Sequence, residues 1–195
     1  MGKLVLGITG GIGSGKSYIS SLLREQLSVP VYDCDTEAKR LMAEDKSIQQ
    51  QLMNLVGAHV YKAGKLQKDV LADYLFANQQ NASQVNAIVH PAVKDDFRRW
   101  TALQKADLVA IESAILYESG FVSLADKVLY VDASKELRIQ RVMQRDGSTR
   151  QQVEARMNMQ KAEEQRQKAD FIIENEGAQQ ETLLAALKNI LKIIN

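Results

Sequence analysis

The run Gly10-Gly11-Ile12-Gly13-Ser14-Gly15-Lys16-Ser17 limits what this chain can fold into more than any other stretch of it. It fits G-x-x-x-x-G-K-[ST]. It stands between an apolar, β-branched run, Lys3 to Thr9, and a segment whose Ile19, Leu22, Leu23 and Leu27 have helical spacing. Strand, glycine-rich turn and helix in that order make a cradle for phosphate. The turn must take backbone angles closed to residues with a side chain, so that successive N–H groups can face phosphate oxygens. The helix start adds unsatisfied N–H groups and the positive end of a dipole. In such a cradle Gly11, Ile12, Gly13, Ser14 and Gly15 offer main chain to a nucleotide, Lys16 reaches the β- and γ-phosphates, and the Ser17 hydroxyl takes a place on Mg²⁺. The motif alone does not separate a kinase from a switch, a motor or a transporter subunit.

Downstream, Leu108 to Ile111 and Val128 to Val131 are near-continuous apolar runs, the pattern of strands buried on both faces of a parallel sheet. Pro30 to Tyr32 and Phe171 to Ile173 bring the expected strands to five. Helical spacing runs through Glu37 to Met42, Lys135 to Arg145, Gln151 to about Lys168, and Glu181 to Ile193. Strands alternating with helices predict an α/β chain: a three-layer P-loop NTPase fold with a five-stranded parallel sheet, an inserted helical substrate domain and a helical lid. From Ser47 to about Lys105 the pattern is helical, with breaks expected at Gly57, Gly64 and His90-Pro91, and no strand of the main sheet. The chain thus reads as a single domain over 1–195, with a nucleotide-binding core at 1–45 and 106–195, an insertion at about 46–105 and a lid at about 138–168.

Composition narrows the function classes. At 45% apolar and 25% charged residues the chain is ordinary for a folded protein. Twenty-five basic against 24 acidic residues give a net charge of +1, so no overall field draws it to nucleic acid or a membrane surface. Cys34 is the sole cysteine and there are two histidines, too few for a disulfide or a Cys/His zinc site. A reducing, cytoplasmic setting and a monomer are expected.

Asp33 follows the second expected strand, and the carboxyl ends of parallel strands line the crevice where ligands sit. A carboxylate there can take the proton of an attacking hydroxyl. The alternative for Asp33 or Asp35 is to cap the helix beginning near Thr36; catalysis is favoured for Asp33 and capping for Asp35. His90 stands open between an unspecified functional role and a helix break with Pro91 at the first position of the next helix. Arg138, Arg141 and Arg145 recur at spacings of three and four, so they share one face of the helix after the fourth strand. Guanidinium forks suit phosphate oxygens, and a lid carrying them supplies charge and excludes water together. The competing reading is a solvated face paired to Glu136, Asp146 and Glu154. Arg141 and Arg145 are expected on the nucleotide phosphates.

These elements, in this order, resemble the dephospho-coenzyme A kinase family. To the loop and to Asp33-Cys34-Asp35 are added His90-Pro91-Ala92-Val93, Leu116-Tyr117-Glu118-Ser119-Gly120, Arg141 to Asp146, Arg156 with Gln160, and Ala169 to Gly177. The resemblance implies ATP as phosphoryl donor, dephospho-coenzyme A as acceptor, and a helical coenzyme A domain inserted after the second strand. It implies that Asp33 faces the ribose hydroxyl, that Arg141 meets ATP phosphates, that Asn175 lies near the adenine, and that His90 serves the acceptor. In that reading Asp33, Lys16 and Arg141 are the catalytic residues. Two positions depart from the family pattern: Ala114 stands where a proline is usual, and Lys68 where an arginine commonly follows Gly-x-Leu-x. The remaining alternatives are a P-loop kinase of another small acceptor, such as a nucleoside monophosphate or a sugar acid, and a nucleotide-dependent switch. The sequence carries no Asn-Lys-x-Asp guanine signature.

Overall fold

The structure, a computed structural model, describes residues 2–158, 160 and 162–194. Among the described residues the chain forms seven strands: β1 (Leu4–Thr9), β2 (Val31–Asp33), β3 (Tyr61–Lys62), β4 (Lys65–Leu66), β5 (Leu108–Glu112), β6 (Lys127–Asp132) and β7 (Phe171–Glu174). The helices are α1 (Lys16–Leu27), α2 (Cys34–Glu44), α3 (Lys46–Val56), α4 (Lys68–Ala77), α5 (Gln79–Leu103), α6 (Lys135–Asp146), α7 (Arg150–Asn158), α8 (Ala162–Lys168) and α9 (Gln180–Ile194). The main sheet has five strands in the order β2-β5-β1-β6-β7. β1 pairs in parallel with β5, Leu6 opposite Ala110, and with β6, Ile8 opposite Leu129, while β7 pairs in parallel with β6. The strand feeding the glycine loop is therefore the middle one, buried on both faces, which is why its sequence reads as a run and not an alternation.

Contacts divide the chain into two compact units, Asp33–Leu103 and the remainder. In the unit formed by that remainder, Leu6, Ile8, Ile19, Leu23, Leu129 and Val131 are fully buried in one cluster. α9 closes that core with Leu183, Leu187 and Ile190, one stripe of an amphipathic helix. The long helix expected over Gln151 to Lys168 is divided among the described residues into α7 and α8. No helix among the described residues is long and apolar enough to cross a membrane.

The helical unit holds α2 to α5 and the β3-β4 hairpin. α2, expected with the core, groups here: it packs against α5, and Arg40 bonds Asp96 at 2.7 Å. The break expected at His90-Pro91 is absent, and Pro91 lies inside the 25-residue α5. Its missing N–H leaves the Ala87 carbonyl without its usual helical donor. Val85, Val89, Val93 and Phe97 are nonetheless buried at a spacing of four straight through the proline. Packing of that stripe overrides local preference. At the hairpin turn Ala63 and Gly64 have φ of 49° and 75°, the pair of positive angles of a two-residue type I′ connection.

Candidate active site

Thr9 ends β1 and the chain turns at once into the glycine loop. Its carbonyls are accounted for one after another. Lys16 Nζ donates to Gly10 O at 2.8 Å and to Gly11 O at 3.3 Å. The Ser14 N–H donates to Gly11 O at 3.1 Å. Arg138 Nε donates to Ile12 O at 2.9 Å. Arg141 Nη1 lies 3.5 Å from Gly13 O and 3.3 Å from Ser14 O, and Asn175 Nδ2 donates to Ser14 O at 2.9 Å. Five successive carbonyls thus face protein donors. The concave side of the loop is a pocket of about 200 Å³ lined by Gly13, Gly15, Lys16, Ser17, Arg141 and Arg145, with Val142.

Glycine is required where the loop enters α1. Gly15 has φ +95°, and a Cβ there would run into the Asn175 amide. Ile12 sits behind the loop, against a small apolar cluster that includes Ile139, Val142, Val153 and Met157. Its N–H donates to Gln160 Oε1 at 2.8 Å. Ser17 Oγ donates to Glu112 Oε1 at 3.1 Å. Glu112 is 6% exposed at the end of β5, beside Ile8 of β1. It joins the site although the sequence reading passed over it; the available signal was a carboxylate terminating an otherwise apolar strand.

The arginine helix divides residue by residue between the two readings open for it. Arg141 lines the pocket, yet its Nη2 donates to Asn175 O at 3.0 Å and its Nη1 to the loop, so the same fork serves loop and pocket. Arg145 lines the pocket too, while its Nε and Nη2 bond Asp146 at 2.7 and 3.0 Å. That hydrogen bond from Arg145 holds the Asp146 carboxyl at about 2, with Arg156 acting in the same direction. Arg138 is outside the pocket lining. Glu136 and Glu154 take Arg150 instead. Asn175 is buried behind the loop, its own N–H on Asp132 O at 2.7 Å. A chain of polar contacts also ties the end of β1 to the 116–120 turn: Thr9 Oγ1 donates to Gln165 Oε1 at 3.1 Å, and Gln165 Nε2 to both Glu118 oxygens at 2.6 and 2.8 Å.

Asp33 and His90 belong to the helical unit. Asp33 is the N-cap of α2: its Oδ1 accepts the N–H groups of Asp35 and Thr36 at 3.0 and 3.2 Å, and its Oδ2 accepts the Thr36 hydroxyl at 2.8 Å. The cap favoured for Asp35 is made by Asp33, and Asp35 stands in the first turn of α2. His90, half-buried midway along α5, has its pKa lowered by burial and by Lys94 nearby, so the neutral imidazole is favoured. The same unit contains an apolar pocket of about 620 Å³, lined by Met42, Leu66, Leu71 and Leu75 among others, with the exposed Lys39, Lys65 and Lys68 also on it.

A parallel sheet whose middle strand feeds a G-x-x-x-x-G-K-S loop, with an arginine helix laid against that loop, defines a P-loop kinase. The family model for dephospho-CoA kinase matches residues 4–181. A dephospho-CoA kinase of Bacteroides fragilis is 47% identical over 174 residues, covering 88% of this chain and 84% of that protein. The chain belongs to the dephospho-CoA kinase family. A crystal structure of a Thermus thermophilus protein superposes with a TM-score of 0.87 at 32% identity, over 100% of both chains. The dephospho-CoA kinase of Campylobacter jejuni shares the fold at a TM-score of 0.69 and 24% identity, covering 97% of this chain and 96% of that one.

Proposed function

We propose that the chain transfers the γ-phosphoryl group of ATP to the ribose 3′-hydroxyl of dephospho-coenzyme A, giving coenzyme A and ADP. The observation that carries this reading is the pocket in which Gly13, Gly15, Lys16, Ser17, Arg141 and Arg145 meet at the start of α1. Loop N–H groups and the helix end bind the phosphates, and Lys16 and Arg141 offset the charge that spreads over the transferred group. Asp33 takes the proton as the hydroxyl oxygen bonds to phosphorus and the bond to the β-phosphate oxygen breaks. The N–H groups of Asp35 and Thr36 orient its carboxylate, and Oδ2, which accepts one hydroxyl, retains a further lone pair for that proton. Asn175 acts through Ser14 O and Arg141, from behind the loop, on the nucleotide side.

Ser17 Oγ and the Glu112 carboxylate are adjacent oxygen donors, the ligand type Mg²⁺ takes. Among the described residues no group of three or more His, Cys, Asp or Glu forms a metal cage, which suits an ion held chiefly by phosphates and water. Ser17 would hold it, directly or with Glu112 behind, and when bound the ion supplies charge to the β- and γ-phosphate oxygens.

The pocket of the helical unit supports the choice of acceptor. Its 620 Å³ lies in the range of small-molecule sites, its lining is apolar, and Lys39, Lys65 and Lys68 match a ligand with a long arm and a diphosphate. His90 belongs to the same unit and serves the acceptor as a neutral group. The segment 138–168 acts as the lid. Buried Cys34 fits a reducing cytoplasm, and we take the working unit to be a monomer.

The test mixes purified protein with Mg-ATP and one acceptor per reaction, either dephospho-coenzyme A, AMP, CMP, shikimate or gluconate, and follows ADP. Release only with dephospho-coenzyme A is expected. Release confined to another acceptor overturns the assignment.

A further inference from the structure

We infer that Arg138 is a positioning residue for the phosphate loop: it holds the Ile12 carbonyl outward and thereby turns the Gly13 N–H, which belongs to the same peptide group, into the phosphate pocket. The inference rests on the reading of that pocket as the ATP site. The peptide group is planar and trans, so its C=O and N–H point in opposite directions. Arg138 Nε bonds Ile12 O at 2.9 Å, and Gly13 lines the pocket whereas Ile12 and Arg138 do not. The direction of one group therefore sets the direction of the other.

The other loop carbonyls have donors that the loop, the lysine, Arg141 or Asn175 provides. Among the described residues Ile12 O has Arg138 alone. Without it the Ile12–Gly13 peptide can flip, because such a flip changes ψ of the first residue and φ of the second, and glycine tolerates either sign of φ. In the flipped form a carbonyl oxygen would face the phosphate where a donor is needed. Gly13, at φ +80°, gives the loop the freedom to cradle and also the freedom to fail.

Arg138 is built into its place. It is 8% exposed, its guanidinium lies where a Cβ on Gly11 would project, and its main-chain carbonyl crowds Gly13 in the same way. Among the described residues no carboxylate pairs with it. A buried cation without a counter-ion is unfavourable unless something nearby uses its charge. The adjacent phosphate pocket does so, since a fixed positive charge raises the potential felt by a triphosphate. A planar, permanently charged fork that donates through Nε while its other end fills the space beside Gly11 is a task for arginine.

The test compares the wild-type chain with Arg138→Met, which fills the space without a donor, Arg138→Gln, which is polar but too short, and Arg138→Lys. Measured are ADP affinity by calorimetry, KM for ATP and for dephospho-coenzyme A, kcat, the thermal midpoint, and the amide resonance of Gly13 with and without ADP. Losing one oriented, charge-supported hydrogen bond corresponds to roughly a tenfold loss of affinity. Met and Gln variants should therefore weaken ADP by about tenfold and raise KM for ATP to match, with KM for dephospho-coenzyme A unchanged. Lys should recover part of the affinity, and the ADP-induced shift of the Gly13 amide should shrink with Met or Gln. A folded Met or Gln variant with wild-type ADP affinity and a wild-type Gly13 shift overturns the inference alone. So does a variant in which both KM values rise together. Wild-type protein that fails to bind ADP overturns the ATP reading, and this inference with it.

Discussion

Asp33 is a cap, and capping leaves room for the catalytic reading, because it uses Oδ1 for two N–H groups and leaves Oδ2 with one hydroxyl. That division makes a clean variant. An asparagine retains a carbonyl oxygen for the two N–H groups and caps about as well as aspartate, but it cannot take a proton. Asp33→Asn should therefore keep the thermal midpoint and ADP affinity while kcat falls by about 10²- to 10⁴-fold. Near-normal kcat would remove Asp33 from the chemistry and leave it a cap. His90 permits a second test at this scale. Its pKa in the folded chain is lowered from 6.5 by burial and by Lys94, so protonation is easier once the chain unfolds. The resulting penalty is absent above about pH 6.5 and grows as pH falls through that value towards the lowered folded one. Between pH 7.5 and 5 the wild type should lose more of its thermal midpoint than His90→Gln does. Parallel slopes would mean the imidazole titrates alike in both states. What the sequence could not convey at this scale is direction. Lys16, Ser17, Arg141 and Arg145 line one pocket, but nothing in residue spacing shows that Arg138 and Asn175 bond the loop from behind, or that Glu112 meets Ser17.

Elements with a strong period were legible, and elements set by tertiary packing or by a rare turn were not. The five strands of the main sheet stand where apolar runs predicted them, each within two residues at either end. The β3-β4 hairpin escaped because its turn places Ala63, a poor residue for positive φ, ahead of Gly64. Pro91 misled in the opposite sense: the local rule ends a helix near proline, but the buried stripe from Val85 to Phe97 carries α5 through it. That conflict should be measurable. Pro91→Ala supplies an N–H for the Ala87 carbonyl and a better helix former, worth about 1–3 kcal/mol. The thermal midpoint should rise by roughly 3–10 °C for a chain of this size. An unchanged or lower midpoint would show that the contacts of α5 with α2, α3 and α4 are fitted to a helix shaped by the proline.

Across the whole molecule the sequence conveyed the topology better than the division into units. Asp33 is at once the last residue of β2 and the N-cap of α2, so the helical unit starts without a linker, and no shift in composition marks its first residue. α2 belongs to that unit because of what it packs on, which a local pattern does not carry. The two units hold chemically different pockets: a small one of loop amides, lysine and arginine in one, and a larger apolar one with exposed lysines in the other. If the first takes the nucleotide and the second the arm of the acceptor, each substrate alone should protect its own unit from hydrogen exchange, since ligands that bind the folded form suppress local opening where they bind. ADP alone should slow exchange over residues 10–17 and the first turn of α1. Dephospho-coenzyme A alone should slow it over residues 39–43, 64–68 and 71–75. Truncated acceptors lacking the arm should lose the second effect while leaving the first untouched. Protection by dephospho-coenzyme A confined to the loop and α1 would instead assign the acceptor to the nucleotide pocket and leave the helical unit without a ligand.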